Sequence, residues 1–288
     1  MIDVDIPLEP SKLVINSTLI PGQPFRVHLS GSQHILDNGD YKNVTGAEIK
    51  IYENDQLLTT LPDSTGGNYI SGTFMPKAGQ RYRVEASKNG FETVTAQETL
   101  PEKPAKIISV KTDTVETNDY GYSQKHLEFD IEIEDRSEKN YYEIIIKRTT
   151  IGLYYDYSQD PPVVTDTVTR VRNKSLQSED PSLEEFQNYG QSIYFDDGLF
   201  NGKKYHMKVS AQSEDFSNRE NDVLEDYYEI YLRNTSEAYY LYKRSTELQA
   251  WTEDDPFAQP VQVYNNISNG YGIFAGYNNE MVYKVELD

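Results

Sequence analysis

The sequence predicts a mainly β protein, with a small N-terminal β-sandwich followed by a larger antiparallel β-domain that carries one longer helix. Three observations lead there. Short runs alternate apolar and polar residues, the period of a half-buried strand. Tyrosine dominates the aromatic content, with 24 Tyr against 10 Phe and 1 Trp in 288 residues. Its ring packs on a pleated face while its hydroxyl stays wet. Only one longer stretch, TSEAYYLYKRSTELQ, carries the start signals and length of a helix.

In the first hundred residues, FRVHL puts Phe25, Val27 and Leu29 on one face, with Arg26 and His28 on the other. GAEIKIYEN turns Ala47, Ile49 and Ile51 inward, and RYRVEAS does the same with Tyr82, Val84 and Ala86. Turns are marked at Asn38-Gly39, Gly66-Gly67, Lys77-Ala78-Gly79 and Asn89-Gly90. Strands spaced this regularly suggest a sandwich over residues 1–100. PEKP, residues 101–104, reads as a linker, with a β-rich domain over 105–288.

In that second part, HLEFDIEIED sets Leu127, Phe129, Ile131 and Ile133 on one face and Glu128, Asp130, Glu132 and Glu134 on the other. YYEIIIKR, Tyr141 to Arg148, follows a short polar loop. The two are expected to form a hairpin, with Lys147 neutralising part of the carboxylate ladder. A tyrosine-rich loop is expected at Tyr154, Tyr155 and Tyr157, before Pro161-Pro162. EDPSLEEFQNYG reads as a short helix, with Asp180 as N-cap and Gly190 past its end. KYHMKVS resumes strand with Tyr205, Met207 and Val209 inward. The longer helix is expected near 235–249, capped by Thr235 or Ser236, with Tyr239, Tyr242 and Thr246 sharing a face. EMVYKVELD closes the chain as a strand, with Met281, Tyr283, Val285 and Leu287 on one side.

Composition narrows function. With no cysteine there is no disulfide, thiolate zinc site or cysteine nucleophile. A net charge of −20 repels nucleic acid and bare anionic lipid. No apolar run approaches the roughly 18 residues that span a bilayer.

The segment VYNNISNGYGIFAGYNN packs Gly270, Gly272 and Gly276 among Tyr271, Phe274 and Tyr277. A dinucleotide loop needs G-x-G-x-x-G followed by a helix. Here the third glycine comes one residue late and the remaining chain alternates as a strand. Glycines in β-structure mark bulges or close backbone approach, so a bend before the last strand is expected, with an exposed aromatic patch as the alternative. His28, His34, His126 and His206 show no zinc spacing. A bend that brings His28 and His34 together is the one metal pairing to consider. There is no G-x-S-x-G elbow. Asp196-Asp197, Glu184-Glu185 and Asp254-Asp255 read as solvated or capping acids rather than an opposed catalytic pair. Asp37-Asn38-Gly39-Asp40 lacks the ligand order of a calcium loop. No cofactor, metal or catalytic residue is assigned. The candidate ligand or partner surface is Tyr154, Tyr155, Tyr157, Trp251, Tyr271, Phe274 and Tyr277.

Five segments, taken in order, carry a resemblance: IDVDIPLEPSKLVINSTLIPGQPFRVHLSGSQHILDN, YISGTFMPKAGQRYRVEASKNGFETVTAQETLPEKP, FDDGLFNGKKYHMKV, TSEAYYLYKRS and DPFAQPVQVYNNISNGYGIFAGYN. Together the chain resembles the Bacteroidota lipoproteins grouped as "domain of unknown function 4249". GTFMPKAGQRYRVEASKNGF also resembles the carboxypeptidase-regulatory sandwich, which is Ig-like or transthyretin-like. The resemblance implies an outer-membrane, cell-surface lipoprotein, anchored through a lipidated cysteine just before the mature domain. Met1 then stands in the place of that cysteine, in a soluble form of the chain. By association with neighbouring transporters, the resemblance also implies a binding or accessory role beside a TonB-dependent nutrient transporter. Competing expectations are a glycan hydrolase with an unrecognised carboxylate pair and a structural or adhesive envelope protein.

Overall fold

The computed structural model describes residues 10–34, 39–119, 122–180, 183, 190–212, 223–252, 258–259 and 261–286. The chain folds into two compact units: Met1–Glu102 with Thr235–Asn278, and Lys103–Asn234 with Asn279–Asp288. Its strands in chain order begin with β1 (Leu13–Leu19), β2 (Arg26–Gly31), β3 (Glu48–Glu53), β4 (Gln56–Leu61), β5 (Asn68–Ile70), β6 (Arg81–Ser87) and β7 (Val94–Thr99). Next come β8 (Lys106–Asp119), β9 (Tyr122–Glu134), β10 (Tyr141–Asp156), β11 (Val163–Asn173), β12 (Leu176–Gln177), β13 (Ile193–Asp196), β14 (Lys204–Gln212) and β15 (Val223–Thr235). The helix α1 (Glu237–Thr252) and β16 (Tyr271–Glu286) complete the described elements.

The first unit is a sandwich. One sheet has the order β4-β3-β6-β7, all antiparallel. The other places β1 between β2 and the Tyr271–Asn278 half of β16, with β5 beyond β2. Alternation gives each sheet one apolar face. Ile15, Val27 and Leu29 meet Ile49, Ile51, Tyr82, Val84 and Ala86 in one buried core. Phe25 meets Tyr82 edge-on, with ring centroids 5.1 Å apart. Each side chain of this size contributes about 1.5–3 kcal/mol when fully buried.

The second unit is built the same way. One sheet runs β12-β14-β9-β8. The other runs β11-β10-β15, with the later half of β16 beside β15 and β13 paired to β10. Phe129, Ile131, Ile133, Met207 and Val209 pack against Tyr142, Ile144, Ile146, Tyr228, Ile230 and Leu232.

The mainly β class and the strand faces are as expected, but several pairings differ. β9 and β10 are not a hairpin. β9 lies between β8 and β14, whereas β10 pairs with β11 and β13. Lys147 therefore misses the carboxylate ladder and lies 4.4 Å over the Tyr231 ring. The ladder is met from β14 instead: Lys208 pairs with Glu128 at 2.8 Å, and Lys204 with Glu132 at 3.8 Å. His206 lies 3.3 Å from Asp130. The division into 1–100 and 105–288 also differs. Residues Thr235–Asn278 go with the first unit, because Tyr271 to Gly276 pair in parallel with Val14 to Leu19.

The helix lies close to its expected place. Ser236 is the N-cap, its Oγ accepting from Tyr239 N–H at 3.3 Å. Its buried residues are Ala238, Tyr239 and Tyr240, so its first turn is covered on several sides. Tyr242 and Thr246 are only half-buried. The helix expected across 180–190 falls largely outside the described residues, as do Asp37, Asn38, Glu184, Glu185, Asp254, Asp255 and Leu287.

Candidate functional site

The tyrosines expected in a loop lie on a long hairpin of the second unit. β10 and β11 pair from Lys147↔Asn173 to Asp156↔Val163, with a bulge between Tyr154 and Tyr155. Strand-forming residues on both sides (TTIGLYY and VVTDTVTRV) favour this extension. Asp156 shapes the turn. Its carboxylate accepts from Ser158 N–H at 2.9 Å, from Ser158 Oγ at 2.6 Å and from Gln159 at 3.3 Å. These donors hold the Asp156 carboxyl below its ordinary range. The base of the hairpin is pinned by a two-pronged contact from the Arg148 guanidinium to Asp226, at 2.8 and 2.5 Å.

Up to Thr149, β10 is almost entirely buried; beyond it, the strand is half-buried or exposed. All of β11 is exposed except Val168, which is half-buried. Neighbouring strand residues point to opposite faces. Val163 and Val164 are each 45% exposed, so neither face of this ribbon is covered. Tyr154 is 57% and Tyr157 76% exposed. Tyr155 and Tyr157 lie with centroids 6.1 Å apart. The result is an arm on which exposed tyrosines and valines stand among polar side chains. The sequence reading missed Val163 and Val164. Their signal was a run of β-branched residues directly after Pro161-Pro162.

The remaining predicted residues belong to the first unit. Trp251 is exposed near the end of α1. Tyr271 is exposed at the start of β16, with Lys12 Nζ 5.4 Å from its ring centroid. Tyr277 packs edge-on to Tyr239 at 5.3 Å. Phe274 is fully buried in the core and offers no surface to a ligand.

Gly272 and Gly276 lie within β16, while Asn269, at φ 62°, and Gly270 make the turn directly before it. A Cβ on Gly272, at φ +106°, would lie 2.0 Å from the Ile15 carbonyl oxygen. One on Gly276 would lie 2.3 Å from Leu100 and 2.7 Å from the Leu19 carbonyl oxygen. These glycines let two backbones approach closely. The adjacent asparagines hold the strand. The Asn266 amide donates to Phe274 O at 2.8 Å and accepts from Phe274 N–H at 3.0 Å. Asn265 donates to Gly270 O at 3.2 Å.

Two polar nodes bear on chemistry. In the first unit, burial pushes the Glu98 carboxyl up to about 7, against the opposing hydrogen bonds from Ser236 and Thr99, and nearby Glu237 adds repulsion. Ser236 Oγ also accepts from Gly276 N–H at 3.2 Å. Glu98 thus orients the helix cap. In the second unit, Asp197 is fully buried. Its Oδ2 accepts from Asn140 N–H at 2.7 Å, while Oδ1 has no hydrogen-bond partner. Burial, with Asp135 nearby, raises its pKa. Asp135 accepts from the Tyr142 hydroxyl and, at 2.9 Å, from Gly202 N–H. Among the described residues no group of three or more His, Asp or Glu could hold a metal ion. His28 contacts Asn43 Oδ1 at 3.1 Å.

These features define a class: a mainly β protein of two sandwich units, one of them bearing an exposed aromatic arm. Residues 1–281 match the family described as a domain of unknown function, DUF4249. The chain belongs to that family. A search of curated proteins found no match. Among the described residues no helix is long and apolar enough to cross a membrane.

Proposed function

We propose that the protein is a binding or accessory component of the cell envelope, not a catalyst, and that it engages its partner through the β10–β11 arm. The observation that carries this reading is the exposure of both faces of the arm, with Tyr154, Tyr157, Val163 and Val164 turned outward. A two-stranded ribbon with neither face buried is marginal in water. Exposed aromatics with few rotatable bonds suit a protein interface. The partner proposed is a TonB-dependent outer-membrane transporter, with the protein held at the cell surface by an N-terminal lipid. The family resemblance supports this pairing and the arm supplies a surface for it.

The test is affinity purification of the native protein in gentle detergent, followed by mass spectrometry. A transporter is expected in stoichiometric amount. It should be lost when Tyr154→Ser and Tyr157→Ser are combined, with thermal stability changed by no more than about 0.5 kcal/mol. Recovery of the protein alone overturns the proposal. Retention of the partner by the double variant removes the arm from it.

A further inference from the structure

We infer that the free edge of β4, in the first unit, accepts an extended segment of a partner polypeptide. The segment would have an apolar side chain that enters a groove beside β4 and a carboxylate that meets Lys77. This site is separate from the β10–β11 arm, and its test is independent of that reading.

β4 ends the β4-β3-β6-β7 sheet, so among the described residues one side of its backbone has no strand neighbour. The opposite edge is different: β7 exchanges backbone hydrogen bonds with Ser268 through Thr95, at 2.8 and 3.4 Å. Sheet edges in soluble proteins are commonly blunted by lysine, proline or inward-pointing charge. β4 reads QLLTTL and contains none of these, its one irregularity being a bulge at Leu58 in the pairing with β3. Its Leu57 is exposed. An unpaired edge of this kind is what an added strand recognises: backbone bonds supply affinity and neighbouring pockets read alternate side chains.

Such a pocket is present. A groove of about 340 Å³ is lined by Leu58, Phe74, Met75 and Pro76, with Glu53 and Lys77 at its polar rim. Phe74 and Met75 are both exposed. Methionine and phenylalanine adapt to varied apolar side chains. Glu53 accepts from the Tyr82 hydroxyl at 2.9 Å. Among the described residues the Lys77 ammonium has no acid within ion-pair distance; its backbone N–H donates to the Tyr82 hydroxyl oxygen at 2.9 Å and its carbonyl accepts from Gln80 N–H at 3.4 Å. The open Lys77 ammonium is matched locally by an acid on the incoming segment, against the net charge of −20 carried by the chain as a whole. That same net charge opposes the pairing of two β4 edges from two copies of this chain.

The full chain is titrated with the synthetic peptide Thr-Val-Thr-Leu-Thr-Val-Asp while backbone amide signals are followed by NMR. Saturable shifts confined to Gln56–Leu61 and Thr73–Lys77 are expected. Replacing the terminal Asp by Lys should weaken binding roughly tenfold, and Lys77→Glu should reverse that preference. Methylating alternate peptide nitrogens should abolish binding by removing the ladder donors. Absence of saturable binding overturns the proposal, and so does equal binding of the methylated peptide. Indifference to the terminal charge overturns the choice of an acidic segment. A dimer of the chain alone, with the β4 amides already protected from exchange, assigns the edge to a second copy and also overturns it.

Discussion

Replacing Glu98 by glutamine tests the account of the helix cap. The carboxyl titrates near 7 in the fold against an ordinary 4.5. Below 4.5 it is protonated in both folded and unfolded chains and costs nothing. Between 4.5 and 7 the unfolded chain releases the proton while the folded chain keeps it, so stability falls by about 1.4 kcal/mol per pH unit. Above 7 the folded chain carries a full penalty of about 3 kcal/mol. Glutamine cannot ionise, and its amide oxygen can still accept from Thr99 N–H, 2.8 Å from Oε1 in the native chain. Glu98→Gln should therefore stabilise the first unit by about 3 kcal/mol near pH 8 and by about 1 kcal/mol near pH 5.5. At about 2–4 °C per kcal/mol, the gain near pH 8 is about 6–12 °C. Thermal unfolding followed by circular dichroism reads this directly, and both conditions lie above the pI of 4.6. Equal gains at the two pH values, or destabilisation near pH 8, would refute the idea that a desolvated carboxylate sits behind the cap.

Gly272→Ala should destabilise the first unit by at least about 2 kcal/mol, since it forces a side chain against the Ile15 carbonyl at φ +106°; denaturant unfolding checks it, and a loss under about 0.5 kcal/mol would show that β1 moves aside freely. Asp197 has a raised pKa, so its stability contribution is largest at low pH and falls as pH climbs from its unfolded toward its folded value. Asp197→Ala should cost about 1–3 kcal/mol because Asn140 N–H loses its acceptor. Asp197→Asn keeps an acceptor and should remove that pH dependence, as urea titrations at two pH values would show.

Much of the fold was legible because alternation states which face of a strand is apolar. Phe25, Val27 and Leu29 are buried as expected, and so are Phe129, Ile131 and Ile133. Alternation does not state which strand lies alongside. β9 and β10 follow one another closely, yet each pairs elsewhere. Lys147 was accordingly assigned to a ladder it does not meet. The glycine segment shows the same limit. Close backbone approach was a sound reading of Gly272 and Gly276, but the approaching backbone lies at Ile15 and Leu19, far away in sequence. The arm was half-visible. Tyr154, Tyr155 and Tyr157 stood out as aromatics, but a ribbon exposed on both faces has no apolar–polar alternation to mark it as strand. Phe274 lies in an aromatic, glycine-rich run that suggests a surface, yet its ring is fully buried in the core of the first unit.

The pairing of β1 with β16 also sets an order of events during synthesis. Val14 meets Tyr271, so β1, which can pair early with β2, waits until the chain near Tyr271 is made before its second neighbour exists. The segment Lys103–Asn234 emerges in that interval, free to begin condensing on its own contacts. Closing so long a loop slows assembly far more than it lowers final stability. Until β16 arrives, Leu13 to Leu19 presents an apolar strand with a vacant side, the kind of intermediate that chaperones hold. Cleaving the chain at the Glu102–Lys103 junction would therefore release no self-sufficient N-terminal piece. It would strand β1 without the neighbour that completes its sheet.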